Sequence, residues 1–262
     1  KELIQFQIEQ GIDGLVPVGT TGESPTLDAD EKDLLIKIAV QMANGRIPVI
    51  AGTGSNDTKS AVEATKRAKD LGADMSLQVA PYYNKPSEEG LYRHFTTIAE
   101  EGHLPVILYN VPGRSSVHIS AALQFRLAEH PGIIGVKEAC GNMGQIQDFL
   151  YTKPADFTVL SGDDAFTLPM MACGAQGVIS VTSNMFPAEM VQLAQAMRSG
   201  DLETALSVHN RLYPFFMNQF IETNPVPVKT YMASKGMLKE VFRLPLCEMT
   251  PENRKKLLTT FD

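Results

Sequence analysis

Seven short runs rich in Val, Ile and Leu recur along this chain of 262 residues, with longer amphipathic stretches between them. They cover 13–19, 47–53, 75–81, 105–112, 132–139, 157–164 and 177–184, and most run into Gly, Pro, Asp or Asn. Apolar runs bounded by breakers and alternating with helical stretches read as parallel strands joined by crossover helices.

The intervening stretches support that reading. Leu34, Leu35, Ile38 and Met42 fall at helical spacing in 28–44, and Asn56 or Asp57 caps a helix carrying Ala61, Ala64, Ala68 and Leu71. Pro86-Ser87 opens a third helix with Leu91, Phe95 and Ile98 on one face, and 120–130, 142–152 and 187–199 repeat the scheme. After Ser199 the strands stop. Residues 201–262 read as wholly helical, divided by Pro214, Pro225, Pro227 and Pro251.

Seven strand–helix units preceded by the helical opening KELIQFQIEQG predict an α/β (β/α)8 TIM barrel, because eight units close that architecture. Its first strand is expected upstream of Lys1, so the chain reads as N-terminally truncated. The expected division is a barrel domain over 1–199 and a C-terminal helical extension over 200–262. An open doubly wound sheet is the alternative, but GTGSN at 52–56 is not the GxGxxG turn of that fold.

Charge narrows the partners. Lys and Arg number 23 against 30 Asp and Glu, a net charge of -7 that repels phosphate backbones and anionic membranes. Neither nucleic acid nor membrane is therefore expected as a partner, and no apolar run approaches the ~20 residues of a spanning helix. Cys140, Cys173 and Cys247 are odd in number and lack CxxC spacing, which points to a reducing cytoplasm. His94, His103, His118, His130 and His209 show no ligand spacing, and no GxSxG elbow occurs, so no metal or cofactor is expected.

In a barrel of this kind the working residues stand at the carboxyl ends of strands. Lys137 is a cation in the apolar run 132–139, and period-two alternation sends Gly135, Lys137 and Ala139 to one face. Small neighbours and apolar surroundings depress an amine's pKa and expose a lone pair that can attack a carbonyl carbon. A lysine whose stem lines the rim while its head reaches water is the competing reading.

The other strand ends add chemistry. Gly19-Thr20-Thr21-Gly22-Glu23-Ser24 combines flexible backbone, hydroxyls and N–H groups suited to a carboxylate. Tyr109 can pass protons and Arg114 can grip a carboxylate bidentately. Tyr82 and Tyr83 form an aromatic pair suited to packing or a subunit contact, and Asp163-Asp164 reads as helix caps.

The motifs GTTGES (19–24), PYYNKP (81–86), LYNVPGR (108–114), GVKEA (135–139), SGDD (161–164) and NPVPVK (224–229) together resemble the dihydrodipicolinate synthase family, in order along the whole chain. The resemblance implies a Schiff base between Lys137 and pyruvate, then addition of the resulting enamine to L-aspartate 4-semialdehyde and cyclisation to 4-hydroxy-tetrahydrodipicolinate. That product feeds lysine and diaminopimelate synthesis. It further implies that Tyr109, Thr20 and Tyr83 relay protons, with Tyr83 entering from a neighbouring subunit. Thr20 and Thr21 hold the pyruvate carboxylate, Arg114 clamps the semialdehyde, and Gly162 and Ile179 line the pocket with backbone.

Members of the family are often homotetramers, dimers of dimers, inhibited by lysine at a site whose counterparts here include Ser24, Asn56 and Tyr82. Ala29, Lys32 and Ser60 depart from the lysine-sensitive pattern of two histidines and a glutamate, so weak or absent feedback is expected. Two other functions share parts of this constellation. One is a related pyruvate lyase acting on N-acetylneuraminate or a 2-keto-3-deoxy sugar acid; the other is a silent binding barrel.

Overall fold

A computed structural model describes residues 1–261 of the chain. The strands are β1 (Ile50–Gly52), β2 (Met75–Val79), β3 (Val106–Asn110), β4 (Ile133–Glu138), β5 (Thr158–Ser161) and β6 (Gly177–Val178). They form one sheet in the order β1-β2-β3-β4-β5-β6, and every pairing is parallel. Sequential order with helical crossovers is what the alternating apolar runs predict.

The helices that precede or join these strands are α1 (Glu2–Glu9), α2 (Ala29–Ala43), α3 (Thr58–Asp70), α4 (Glu88–Gly102), α5 (Pro112–Ser115), α6 (Ala121–Ala128), α7 (Met143–Thr152) and α8 (Thr167–Ala172). Beyond β6 come α9 (Pro187–Ser199), α10 (Leu202–Asn218), α11 (Val226–Ser234) and α12 (Pro251–Leu258). Side-chain caps start several of them: Asp28 accepts from the N–H of Glu31, Asp57 from Ser60, Ser87 from Gly90, Ser120 from Leu123 and Asn142 from Gln145. Of the two residues expected to cap α3, Asp57 does so.

The two faces of the sheet bury different clusters. Val106, Leu108, Ile133 and Val136 pack outward against Leu91, Phe95 and Ile98 of α4 and Leu123 and Leu127 of α6. Ile50, Leu77, Ile107 and Tyr109 meet on the inner face, with Ala139 and Ile179 beside them. β3 is buried along its entire length, as expected of a strand covered on both faces. Residues of every strand, from Ile50 and Gly52 through Leu77, Tyr109, Lys137 and Leu160 to Gly177, line one cavity of about 1260 Å³, so the sheet wraps around it.

Several expectations need correction. The run 13–19 forms no regular strand but lies parallel along β1: Leu15 bridges Val49, the Ile50 N–H donates to the Leu15 carbonyl at 2.8 Å and the Gly52 N–H to the Pro17 carbonyl at 3.0 Å. Pro17 lacks an N–H and Val18 takes a left-handed φ of 61°, which turns the chain out of strand geometry. The run 177–184 is strand only at Gly177–Val178, because Thr182–Asn184 winds into a 3-10 turn. Pro214 does not divide helices: it lies inside α10, where the buried Leu212, Phe215 and Phe216 around it offset the lost hydrogen bond, a cost of about 3 kcal/mol.

The segment after Ser199 is not wholly helical either. Between α11 and α12 the chain runs through Lys239–Thr250 without regular structure, with its Leu244–Pro245 bond cis. Met249, Phe242 and Leu246 nevertheless pack with Phe215 and Tyr231, so this stretch closes the C-terminal core. Met190 and Leu193 of α9 share another cluster with Ala205, Val208 and Leu212 of α10. Among the described residues no helix is long and apolar enough to cross a membrane.

Candidate active site

Register and alternation bring the first two site residues together. Tyr109 pairs with Lys137 across β3 and β4, both on the inner face. An irregularity between Val106 and Ile107 places Ile133 opposite Val106 and Gly135 opposite Ile107, and it precedes the paired Tyr109 and Lys137. The Lys137 Nζ stands 4.2 Å from the centre of the Tyr109 ring.

Burial is the largest influence on both groups. It lowers the Lys137 amine to about 8, with Arg114 pushing the same way and Asp164 opposing. Burial raises the Tyr109 phenol, here with Arg114 opposing and Asp163 assisting, so the hydroxyl keeps its proton at neutral pH. Gly162 provides space for the Lys137 stem, while Gly135 lets β4 lie close to the carbonyl of Thr158 on β5.

The turn after the 13–19 run supplies polar groups from the neighbouring edge. Thr20, Thr21 and Ser24 line the same cavity as Lys137, Tyr109, Arg114, Gly162 and Ile179. The turn closes through Glu23 N–H to the Thr20 carbonyl, and Glu23 takes φ 55°. Ile179 extends the sheet past β6, its N–H donating to the Ser161 carbonyl at 2.9 Å.

Not every expected residue lies there. Tyr83 has φ 73° and is 89% exposed, outside the cavity. Tyr82 lines the cavity, while Asn56 stays outside it and holds the tyrosine loop, donating from Nδ2 to the Tyr82 carbonyl at 3.2 Å and accepting from Asn84 at 2.8 Å. Asp163 is a cap, accepting from the N–H of Ala165. Asp164 is not: buried to 1% exposure, it accepts from the N–H groups of Val181 and Thr182 and from the Gln219 amide.

Two residues from α11 and its approach were missed as site residues. Asn224 donates from Nδ2 to the Thr21 hydroxyl at 2.9 Å, and its carbonyl accepts from Arg114 at 3.4 Å. Lys229 forms an ion pair with Glu23, donates to the Val241 carbonyl at 2.6 Å and lies 4.7 Å from the Phe242 ring centre. The NPVPVK motif was their only sequence signal. Among the described residues no cluster of three or more His, Cys, Asp or Glu is arranged to hold a metal.

A lysine that burial draws toward neutrality, facing a tyrosine at the carboxyl end of parallel strands, defines a class: lyases and aldolases that capture a keto compound as a Schiff base. The chain belongs to the Dihydrodipicolinate synthetase family, whose profile matches residues 1–262. A 4-hydroxy-tetrahydrodipicolinate synthase of Thermodesulfovibrio yellowstonii is 52% identical over 98% of this chain and 88% of its own length. The solved 4-hydroxy-tetrahydrodipicolinate synthase of Methylacidiphilum fumariolicum SolV superposes with a TM-score of 0.97 at 46% identity, covering 99% of this chain and 87% of that one. A chloride-inhibited dihydrodipicolinate synthase of Acinetobacter baumannii, solved with pyruvate, gives a TM-score of 0.97 at 43% identity over 99% of this chain and 89% of that one.

Proposed function

We propose that this lyase condenses pyruvate with L-aspartate 4-semialdehyde to give 4-hydroxy-tetrahydrodipicolinate, the first committed step toward lysine and diaminopimelate. The observation that carries the reading is the enclosed Lys137 amine, lowered to about 8 and 4.2 Å from the Tyr109 ring centre. Roughly a tenth of such an amine is neutral at pH 7, far more than of an ordinary lysine.

The neutral Nζ of Lys137 attacks the keto carbon of pyruvate, the carbinolamine loses water, and loss of a C3 proton gives the enamine. Each stage moves protons, and the Tyr109 hydroxyl with that of Thr20 relays them without placing a free charge in the pocket. Thr20, Thr21 and the N–H groups of their turn hold the pyruvate carboxylate, Arg114 receives the carboxylate of the semialdehyde, and Gly162 and Ile179 border the reacting carbons. Enamine addition to the aldehyde carbon forms the new C–C bond, and ring closure by the semialdehyde's amine releases Lys137.

The exposed Tyr83 suits a residue that completes a neighbouring subunit's relay, which we take as the basis of a homotetramer built from two dimers. Ser24, Asn56 and Tyr82 are assigned to an effector site weakened by Lys32 and Ser60, both of which line the cavity. The sheet is read as part of a (β/α)8 barrel, supported by the groove that Leu15–Val18 and Gly177–Val181 share. The barrel over 1–199 holds the nucleophile, and the extension over 200–262 braces its carboxylate turn. A cytoplasmic location fits a biosynthetic enzyme with unpaired cysteines.

Borohydride reduction with pyruvate tests the mechanism: a stable adduct should form on Lys137 and be absent from Lys137→Ala. Equal labelling of both proteins defeats it. Turnover with L-aspartate 4-semialdehyde, compared with cleavage of N-acetylneuraminate and 2-keto-3-deoxy sugar acids, tests the substrate.

A further inference from the structure

Behind the reacting face lies a buried carboxylate that the mechanism leaves unused. Glu138 follows Lys137 on β4 and points to the opposite side of the sheet, where it is 2% exposed. Its oxygens accept from the Asn110 amide at 3.0 Å each, from the Gln124 amide at 2.6 Å and from the Cys140 N–H at 2.8 Å. These donors are all uncharged, so burial of the carboxylate is costly, and an apolar side chain of similar volume would avoid that cost. What a carboxylate adds is acceptor capacity for donors from three separate segments.

Two of those donors lie beside the proposed chemistry, Asn110 on β3 and Cys140 just past β4. Asn110 follows Tyr109 as Glu138 follows Lys137, and the register pairs Asn110 with Glu138 directly beside the Tyr109–Lys137 pair. Asn110 Oδ1 also accepts from the Ile119 N–H at 3.0 Å, and the Ile119 carbonyl accepts from both Asn110 and Gln124. The strand ends are thereby tied to one another and to α6 from the side that substrate never reaches.

We propose that Glu138 is a positioning residue for the Schiff-base reaction: with Asn110 and Gln124 it locks the ends of β3 and β4 in the register that sets Tyr109 against Lys137. This inference rests on the Schiff-base reading above. A Gln at 138 presents an amide to donors whichever way it is turned, either to Asn110 and Cys140 or to Asn110 and Gln124. Turning Gln124 to compensate sets its oxygen against the Ile119 carbonyl.

The test is the rate of borohydride-trapped adduct formation over a pyruvate titration, on protein shown to be folded by its melting transition. Glu138→Gln should lower the rate at saturating pyruvate by about 10²-fold, the scale of a 1 Å misplacement, while half-saturation stays within about threefold because the Thr20–Thr21 turn is untouched. An unchanged saturating rate with only a lowered melting temperature overturns the proposal, since a structural role alone gives that result. So does a rise in half-saturation with no loss of rate. Should Glu138→Gln not fold, Gln124→Met decides: it removes one donor from the far side, and trapping as fast as in the unaltered protein overturns the proposal, whereas slower trapping supports it. Failure of the unaltered protein to be trapped at all is a separate result, which overturns the Schiff-base reading itself.

Discussion

Gly162 sits against the Lys137 stem: a methyl group there would stand 3.1 Å from both Cγ and Cε of the lysine and, closer still, 2.8 Å from Cβ of Ala139. Ala139 is fixed in the strand, whereas the lysine stem can swing. Gly162→Ala should therefore both shift the backbone at this strand end and divert the amine. Adduct formation with pyruvate should slow by on the order of 10²-fold, with the melting temperature lowered by the contact with Ala139. A full-rate variant would show that the lysine reaches its carbonyl by another path.

The pH dependence follows from the lowered amine. With its value near 8, adduct formation at saturating pyruvate should quicken about tenfold per pH unit between 6 and 8 and level off above. A rate still climbing steeply at pH 10 would place the amine in ordinary solvent.

The same shift bears on stability. Unfolding returns the amine toward 10.5, so between about 8 and 10.5 the unfolded chain binds a proton that the folded chain has released, and stability rises with pH across that window. Below about 8 both states are protonated and the burial penalty is constant. Lys137→Met should thus be more stable than the unaltered protein at pH 7, by roughly 1–3 kcal/mol, with the difference shrinking as pH approaches 10.5. Urea titrations at pH 7 and pH 10 measure both values, and a variant less stable at pH 7 contradicts the burial argument.

Lys229→Met isolates the brace on the carboxylate turn. Its side chain and that of Glu23 are only 19% and 14% exposed, so the variant strands a largely buried carboxylate beside Thr20 and Thr21. We expect a stability loss of about 2–3 kcal/mol and a rise of about tenfold in half-saturating pyruvate. Unchanged pyruvate affinity would separate the ion pair from the turn.

Feedback should be weak. Lys32 lines the cavity together with Ser60, giving a cationic lysine effector a like charge at 32 and no acid at 60. A lysine titration of the forward rate should be flat, and saturating inhibition at physiological lysine would contradict the assignment.

How much of this was legible in the sequence depended on range. Lys137 and Tyr109 stood out because alternation within a strand is local and parallel register then pairs strand ends. The cap Asp57 and the helix opening at Ser87 were legible because each bond spans three residues. The Asn224–Thr21 and Lys229–Glu23 contacts span 203 and 206 residues, and no periodicity reports a meeting of that kind. Glu138 was hidden for another reason: beside Lys137 it read as the outward neighbour of a nucleophile, and only the packed Asn110 and Gln124 show what it gathers. Pro214 misled because burial of its aromatic neighbours outweighs a local propensity.

Asn224 and Lys229 are made late. A ribosome that has finished every strand has yet to add either, and until both emerge Thr21 lacks its bond from Asn224 and Glu23 its pairing with Lys229. On the proposed mechanism, competence to grip substrate therefore arrives with the tail of the polypeptide, long after Lys137 itself has been translated.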